Sequence, residues 1–235
     1  MDRVPFAAPV LVIAPHPDDE SLGCGGLLAT MWAAGRPAHV LCLTDGAASH
    51  LASALWPPAR LAARRRTELA AAIEELGGDP GADMTWLGWA DADLHRVHGP
   101  AQDLAAAMTA VAARVGAKTL VAPSPHDPHC DHVAAAMAAR AVARTTGTDL
   151  VFYPVWSRWL APRRDAPLAG ARRITVPTEA AVDRKRAAID AHASQAAGGV
   201  PDDPAGFAMP DGFAAYFAAA PEIYDLADRR GKGAA

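Results

Sequence analysis

One stretch near the start of the chain, VLVIAPHPDDESLGCGGLL (residues 10–28), constrains the fold more than any other. Its first five residues, Val10 to Ala14, form an uninterrupted apolar run, which is typical of a strand buried on both faces of a parallel sheet. Two prolines then stop the strand, and Ser21 is expected to cap a helix that ends at Gly35. The turn between them carries four ionisable side chains: His16, Asp18, Asp19 and Glu20.

Such a turn is unfavourable unless a cation offsets its charge, because adjacent carboxylates repel one another. A divalent metal ion removes that penalty and uses imidazole and carboxylate groups as ligands. In open α/β sheets, ligands also bind at the carboxyl ends of the strands. The stretch therefore predicts a metal site, the alternative being a solvated turn with a capping carboxylate.

The rest of the chain alternates strand-like and helix-like segments. Further strands are expected at residues 38–43, 84–87, 119–122, 150–155 and 173–176, and helices at 59–76, 101–115, 178–192 and 212–219 and directly after residue 131. This alternation predicts an α/β fold, Rossmann-like, with a mostly parallel sheet and helices on both faces. With 235 residues and 51% hydrophobic content, we expect a single domain over residues 1–228 and a disordered tail over 229–235.

Composition and charge restrict the kinds of molecule that this chain is expected to bind. A net charge of -4 provides no basic surface for nucleic acid or an anionic membrane. No stretch approaches the roughly 18 apolar residues of a spanning helix, and no secretion signal precedes the first strand. The three cysteines, Cys24, Cys42 and Cys130, do not form a disulfide pattern. We therefore expect a cytoplasmic protein with a small-molecule substrate; assembly into a homo-oligomer stays open.

A second polar turn follows the strand at 119–122, in the stretch PSPHDPHCDHVAAAMAARAVA (residues 123–143). Asp131 is a natural N-cap for the alanine-rich helix, which puts His132 in the first helical turn and His129 just outside it. Cys130 is then expected to point elsewhere. Two such turns at two strand ends can face one cleft.

Together the two turns offer two imidazoles and one carboxylate for a metal ion: His16, Asp19 and His132. This set leaves a fourth position open, as catalytic zinc sites do. Fe²⁺ suits the same donors and is the second candidate ion. Asp18 and His129 remain as acid and base beside the metal, and Asp131 is expected to orient the His129 ring and raise its pKa.

The APHPDDESLGCGG and HCDH segments resemble the HPDDE and HxDH signatures of the LmbE-like or PIG-L-like zinc deacetylases, which remove N-acetyl groups from N-acetylglucosamine-containing compounds. The resemblance extends through residues 44–46, the RRTEL helix, the LGWAD segment and the KRAAIDAHASQ segment. It implies a zinc-dependent N-deacetylase that acts on an amino sugar or its conjugate.

The resemblance also implies roles for individual residues. By similarity His16, Asp19 and His132 match the zinc ligands, Asp18 the general base, and His129 the group that stabilises the oxyanion and can protonate the leaving amine. Arg65 and Asp91 match positions that hold sugar hydroxyls, and His192 belongs to an element that can line the pocket. The alternative for His192 is a helix-end residue that bonds the last carbonyls. Ala92 stands where the family often has glycine, which leaves the substrate-facing loop undefined.

Three other functions compete with this one. An amidase acting on thiol-sugar conjugates would use the same chemistry, and a sugar-binding module could keep the pocket without catalysis. A nucleotide-binding protein is suggested by Gly23, Gly25 and Gly26 after a strand. This last match fails in detail, because eight residues (15–22) separate the strand from the first glycine and Leu28 occupies the third glycine position.

Overall fold

The computed structural model describes residues 4–96, 104–160 and 166–227. Its strands are β1 (Val10–Ala14), β2 (Ala38–Thr44), β3 (Met84–Trp89), β4 (Thr119–Pro123), β5 (Asp149–Tyr153), β6 (Arg172–Val176) and β7 (Glu222–Leu226). They form one sheet in the order β3-β2-β1-β4-β5-β7-β6. Strands β1 to β5 are parallel to one another, and β7 is antiparallel to both β5 and β6. The predicted mostly parallel sheet is confirmed.

The α-helices are α1 (Asp19–Ala33), α2 (Pro58–Leu76), α3 (Leu104–Val115), α4 (Cys130–Thr146), α5 (Trp156–Leu160), α6 (Val182–Ala191) and α7 (Phe213–Ala219). They cover both faces of the sheet. Alternate residues of β1 belong to different cores: Val10 and Val12 pack in one with α1, α2, α6 and α7, while Leu11 and Ile13 pack in the other with α3 and α4. The Rossmann-like α/β class is therefore confirmed.

The site lies where the chain changes direction across the sheet. Strand β1 has β2 on one side and β4 on the other, so the connections after β1 and β4 diverge. A crevice opens between the carboxyl ends of two such strands, and ligands bind there in open α/β sheets. Both polar turns follow these two strands.

Several boundaries differ from the sequence predictions. Helix α1 begins at Asp19, so Ser21 lies inside it, and the predicted cap is wrong. Asp131 is likewise inside α4, whose N-cap is His129. Strand β7 and helix α5 were not predicted, because five-residue segments with charged or polar positions carry little local signal.

Two expectations fall outside the described residues: the tail over 229–235 and the first turn of the helix predicted from residue 101. In the part of the chain that is described, no helix is long and apolar enough to cross a membrane.

Candidate metal centre and active site

The turns after β1 and β4 bring three potential ligand atoms together. Asp19 Oδ2 lies 3.2 Å from His16 Nδ1 and 3.2 Å from His132 Nε2. Two atoms that bind the same tetrahedral ion at about 2.0–2.1 Å lie roughly 3.3 Å apart. The two imidazoles and the carboxylate are therefore spaced as ligands of one ion. All three residues are buried.

The hydrogen bonding of His132 fits a metal ligand. Its Nδ1–H donates to Asp127 Oδ2 (3.0 Å), so in the neutral ring the lone pair is on Nε2. His132 Nε2 is buried and has no hydrogen-bond partner. Buried polar atoms rarely stay unpaired, and metal-bound histidines usually donate their other N–H to a carboxylate. Asp127 was not predicted as a site residue, although it lies five positions before His132 in the second motif.

His16 is oriented in a similar way, by two carboxylates. Its Nε2 lies 3.2 Å from Asp131 Oδ2 and 3.1 Å from Asp91 Oδ1. Carboxylates only accept hydrogen bonds, so in a ring whose Nδ1 binds an ion, the proton would be on Nε2. Nδ1 faces Asp19 Oδ2 at 3.2 Å. Asp91 Oδ2 also accepts from the backbone N–H of Ala48 (3.1 Å), so this predicted sugar-binding residue is engaged with protein groups on both oxygens.

The Asp131 carboxylate does not orient the His129 ring as predicted, although its charge acts to raise the pKa of His129. The Asp131 carboxylate contacts His16 and accepts from the backbone N–H groups of Ala92 (2.8 Å) and Leu94 (3.0 Å). Only the backbone N–H of Asp131 reaches His129, where it donates to Nδ1 (3.2 Å). Asp131 therefore orients a predicted metal ligand instead of the predicted oxyanion group.

The electrostatics of the cluster favour a cation. Burial lowers the pKa of His16 and of His132, but the neighbouring carboxylates outweigh it, and the pKa of His132 rises to about 9. Burial raises the pKa of Asp19, yet the two imidazoles bring it well below its usual range. Positive charge is stable here because four carboxylates surround the rings, those of Asp19, Asp91, Asp127 and Asp131. A divalent ion would use the same environment.

Asp18 lies in the cavity wall in a strained conformation. Its φ of 145° is uncommon for a residue with a side chain. Its backbone N–H donates to Glu20 Oε2 (3.0 Å), and Arg65 Nη2 donates to Pro17 O (2.7 Å) and to Asp18 Oδ2 (3.0 Å), which together hold the turn. Burial raises the pKa of Asp18 to about 6, and the charge of Arg65 opposes this rise.

Arg65 lines the cavity, whereas His192 does not. Both terminal nitrogens of Arg65 already bond protein oxygens, those of Gly46, Pro17 and Asp18. His192 is buried behind the turn, with Nε2 3.0 Å from Glu20 Oε1, and does not line the cavity. Gln195, three residues later, lines it instead. The pocket-lining prediction for His192 is therefore wrong.

His129 faces the cavity from the start of α4. Its ring centroid lies 4.5 Å from that of His16. Burial, followed by the charges of His16 and His132, lowers its pKa. Because Nδ1 accepts from the Asp131 backbone, the proton of the neutral ring is on Nε2, so His129 can donate a hydrogen bond without being charged.

The cavity has a volume of about 220 Å³. One wall is polar and contains the residues described above. The apolar lining of the cavity includes four residues from later in the chain: Trp156, Phe207, Met209 and Phe213. The sequence pattern gave no reason to select these four residues, because aromatic and methionine side chains at such positions usually belong to the core. A lining that combines polar and aromatic side chains suits a small, partly hydroxylated ring.

The glycines after β1 are buried in helix packing. A Cβ atom at Gly23 would overlap with the Tyr153 ring, and one at Gly26 would lie 2.5 Å from Thr178 Cγ2. These glycines allow close packing of α1 and form no cradle for phosphate. The glycines therefore give no support to the nucleotide-binding alternative.

A family model described as PIG-L, GlcNAc-PI de-N-acetylase, matches residues 11–143, which include both turns. The chain belongs to this family. It is also 34% identical, over 177 residues, to 2'-N-acetylparomamine deacetylase of Streptomyces fradiae. That match covers 69% of this chain and 58% of the relative, so the chain spans little more than half the length of that protein.

Two solved structures share the fold of this PIG-L family member. The A40926 pseudoaglycone deacetylase Dbv21 has a TM-score of 0.68 at 25% identity, over 96% of this chain and 98% of that one. GalB, the 4-carboxy-2-hydroxymuconate hydratase of Pseudomonas putida KT2440, has a TM-score of 0.65 at 19% identity, over 93% and 94%. Since one is a deacetylase and the other a hydratase, the reaction has to be argued from the site.

Proposed function

We propose that the protein is a metal-dependent N-deacetylase of amino sugars. The observation that carries this proposal is the convergence of His16, Asp19 and His132 on one point, with Asp18 and His129 beside them in the cavity wall. Membership of the PIG-L family and the deacetylase names of two relatives support the same reaction.

His16 Nδ1, an oxygen of Asp19 and His132 Nε2 would hold the metal, for which Zn²⁺ is the first candidate and Fe²⁺ the second. When bound, such an ion polarises an amide carbonyl and lowers the pKa of a water molecule. Asp131 and Asp127 hold the two histidines from outside, each through the ring nitrogen that does not face the ion.

The remaining steps belong to residues of the chain. Asp18 takes a proton from water as the water oxygen attacks the acetyl carbon, and a pKa near 6 suits a general base at neutral pH. His129 donates from Nε2 to the carbonyl oxygen as negative charge develops there. The carbon–nitrogen bond then breaks, and the proton held by Asp18 is available to the leaving amine.

The substrate class follows from the cavity and the relatives. A cavity of about 220 Å³ is below the roughly 300–1,000 Å³ typical of drug-sized ligands, which favours one sugar ring inside and any conjugate outside. We propose an N-acetylated amino sugar whose ring lies against Trp156 and Phe213. Asp91 and Arg65 would contact its hydroxyl groups, using the oxygen lone pairs and N–H groups that their contacts within the protein leave free.

The adjacent carboxylates provide the sharpest test. Asp18→Asn should keep the metal and lose roughly 10²- to 10⁴-fold in turnover, the usual contribution of a positioned base. Asp19→Asn should lose both metal and activity, because Asp19 contacts both ligand imidazoles. Metal stoichiometry by elemental analysis and amine release from N-acetylated aminoglycosides and N-acetylglucosamine glycosides measure the two effects.

An Asp18→Asn protein without metal, or with parental turnover, would contradict this division of roles. Amide-linked thiol-sugar conjugates belong in the same panel, since release from these alone would favour the amidase. A protein that holds its metal and binds sugars, but releases amine from no substrate, would favour a non-catalytic sugar-binding module.

A further inference from the structure

A second set of metal-ligating atoms lies beside the predicted zinc ligands and shares none of them. A ring nitrogen of His95, Cys130 Sγ and a carboxylate oxygen of Asp131 all lie within 4.8 Å of one another. His95 and Cys130 are exposed, whereas Asp131 is buried beneath them. None of the functions assigned above uses His95 or Cys130, and neither lines the cavity.

Asp131 holds this arrangement together. Its Oδ1 accepts from the backbone N–H of Leu94 (3.0 Å), which begins the short 3₁₀ helix Leu94–Arg96 that carries His95. The same Oδ1 lies 3.7 Å from Cys130 Sγ, and Ala92 O lies 3.8 Å from the sulfur. The segment reaches this position through Ala92, whose φ is 62°. The three donors are therefore positioned by the fold.

The chemistry of the donors separates this set from the first. The predicted zinc site has only nitrogen and oxygen donors, whereas this one adds a thiol, which favours borderline and soft ions such as Zn²⁺, Cd²⁺ and Co²⁺. Arg96 Nε donates to His95 Nε2 (3.2 Å), but its side chain is 74% exposed and can turn away when an ion binds.

We propose that His95, Cys130 and Asp131 form a second metal site, which fills after the first when Zn²⁺ or a related ion is in excess. Asp131 connects the two sites, because its Oδ2 contacts His16 Nε2 (3.2 Å) while Oδ1 faces the second set. An ion bound to Oδ1 draws the negative charge of Asp131 away from His16 and weakens the contact that orients the His16 ring. Excess Zn²⁺ should therefore inhibit the enzyme. This inhibition rests on the proposed function, whereas the binding does not.

Cobalt titration of the full-length apoprotein tests the binding. Because Cys24 and Cys42 are buried and Cys130 is exposed, thiolate-to-cobalt charge-transfer absorbance reports on Cys130. We expect no such band with the first equivalent of Co²⁺ and a band with the second. Cys130→Ser should lose the band and one equivalent of binding, and His95→Gln should weaken the second event at least 10-fold. His126→Gln, which changes an exposed histidine in the loop before α4, is the matched control and should titrate like the parent.

Absence of the band at two equivalents, or its persistence in Cys130→Ser, would overturn the site, as would parental titration of His95→Gln. For the coupling, excess Zn²⁺ should inhibit amine release by the parent protein but not by Cys130→Ser. Equal inhibition of both would place the inhibitory ion elsewhere. A protein that hydrolyses no substrate yet gives the cobalt result would contradict the proposed function and leave the second site intact.

Discussion

At the scale of single residues, Asp18 and Asp19 are chemically identical but occupy opposite environments. Asp19 lies between two imidazoles, which bring its pKa well below the usual range, while burial raises that of Asp18 to about 6. Two carboxylates whose pKa values are moved apart by their surroundings are typical of a site that separates charge stabilisation from proton transfer. Their neighbours produce this difference, because Asp19 contacts His16 and His132 whereas Asp18 contacts Arg65.

Asp127 provides a prediction at this scale. Asp127→Asn removes the charged acceptor that keeps the His132 proton on Nδ1, so metal affinity should fall about 10- to 100-fold, as for other outer carboxylates. Ser157→Ala is the control, because the Ser157 hydroxyl bonds Asp127 but not His132. Competition with a chelator of known affinity measures both. Equal losses in the two variants would show that Asp127 acts through general loop structure.

At the scale of elements, helix α1 begins with the predicted ligand Asp19 and packs closely against the sheet. Gly23 packs against the Tyr153 ring, which cannot move away because its hydroxyl donates to Ile13 O (2.8 Å). Gly25 similarly faces the aliphatic part of Lys185. The glycines weaken the helix by propensity but allow this contact.

Gly23→Ala tests whether helix propensity or packing dominates, because the two predict opposite changes in the free energy of unfolding. Helix propensity alone would stabilise the protein by about 1 kcal/mol, whereas the overlap with Tyr153 should destabilise it by about 1–3 kcal/mol. We expect a lower free energy of unfolding in urea denaturation. Ala63→Gly, at an exposed position inside α2, reports the size of the propensity term alone. A stabilised Gly23→Ala protein would contradict the packing argument.

At the scale of the whole molecule, strand β7, late in the chain, forms hydrogen bonds with helix α1 near its beginning. Glu222, at the start of β7, accepts from the backbone N–H groups of Gly26 (2.7 Å) and Leu27 (2.8 Å) in α1. It also pairs with Lys185 of α6 at 2.7 Å, and both charges are buried. Residues almost 200 positions apart thus hold the helix that begins with Asp19.

Glu222→Gln should therefore be strongly destabilising, by about 3–5 kcal/mol, because it leaves the Lys185 charge buried without a partner. Adding Lys185→Met should recover part of the loss. Asp183→Asn, which breaks the exposed pair of the same helix with Arg186, should leave stability unchanged within error. Thermal and denaturant unfolding measure all three. No recovery in the double variant would mean that the loss comes from packing and not from charge.

The sequence alone determined the fold class and the convergence of the two polar turns. Strands at residues 10–14 and 119–122 are visible because a buried parallel strand is locally apolar and its end is marked by proline and charge. His16, Asp19 and His132 follow from the same logic, since parallel strands place their carboxyl ends at one edge of the sheet.

Only the tertiary structure decided which group each side chain contacts. Asp131 bonds His16 instead of His129, His192 lies behind the turn bonded to Glu20, and Phe207 and Phe213 line the cavity. These partners come from segments far apart in the chain, so no local periodicity reports their contacts. A hydrogen bond depends on ångström-scale distances and on the direction of a ring or carboxylate, and those are set by packing across the whole sheet.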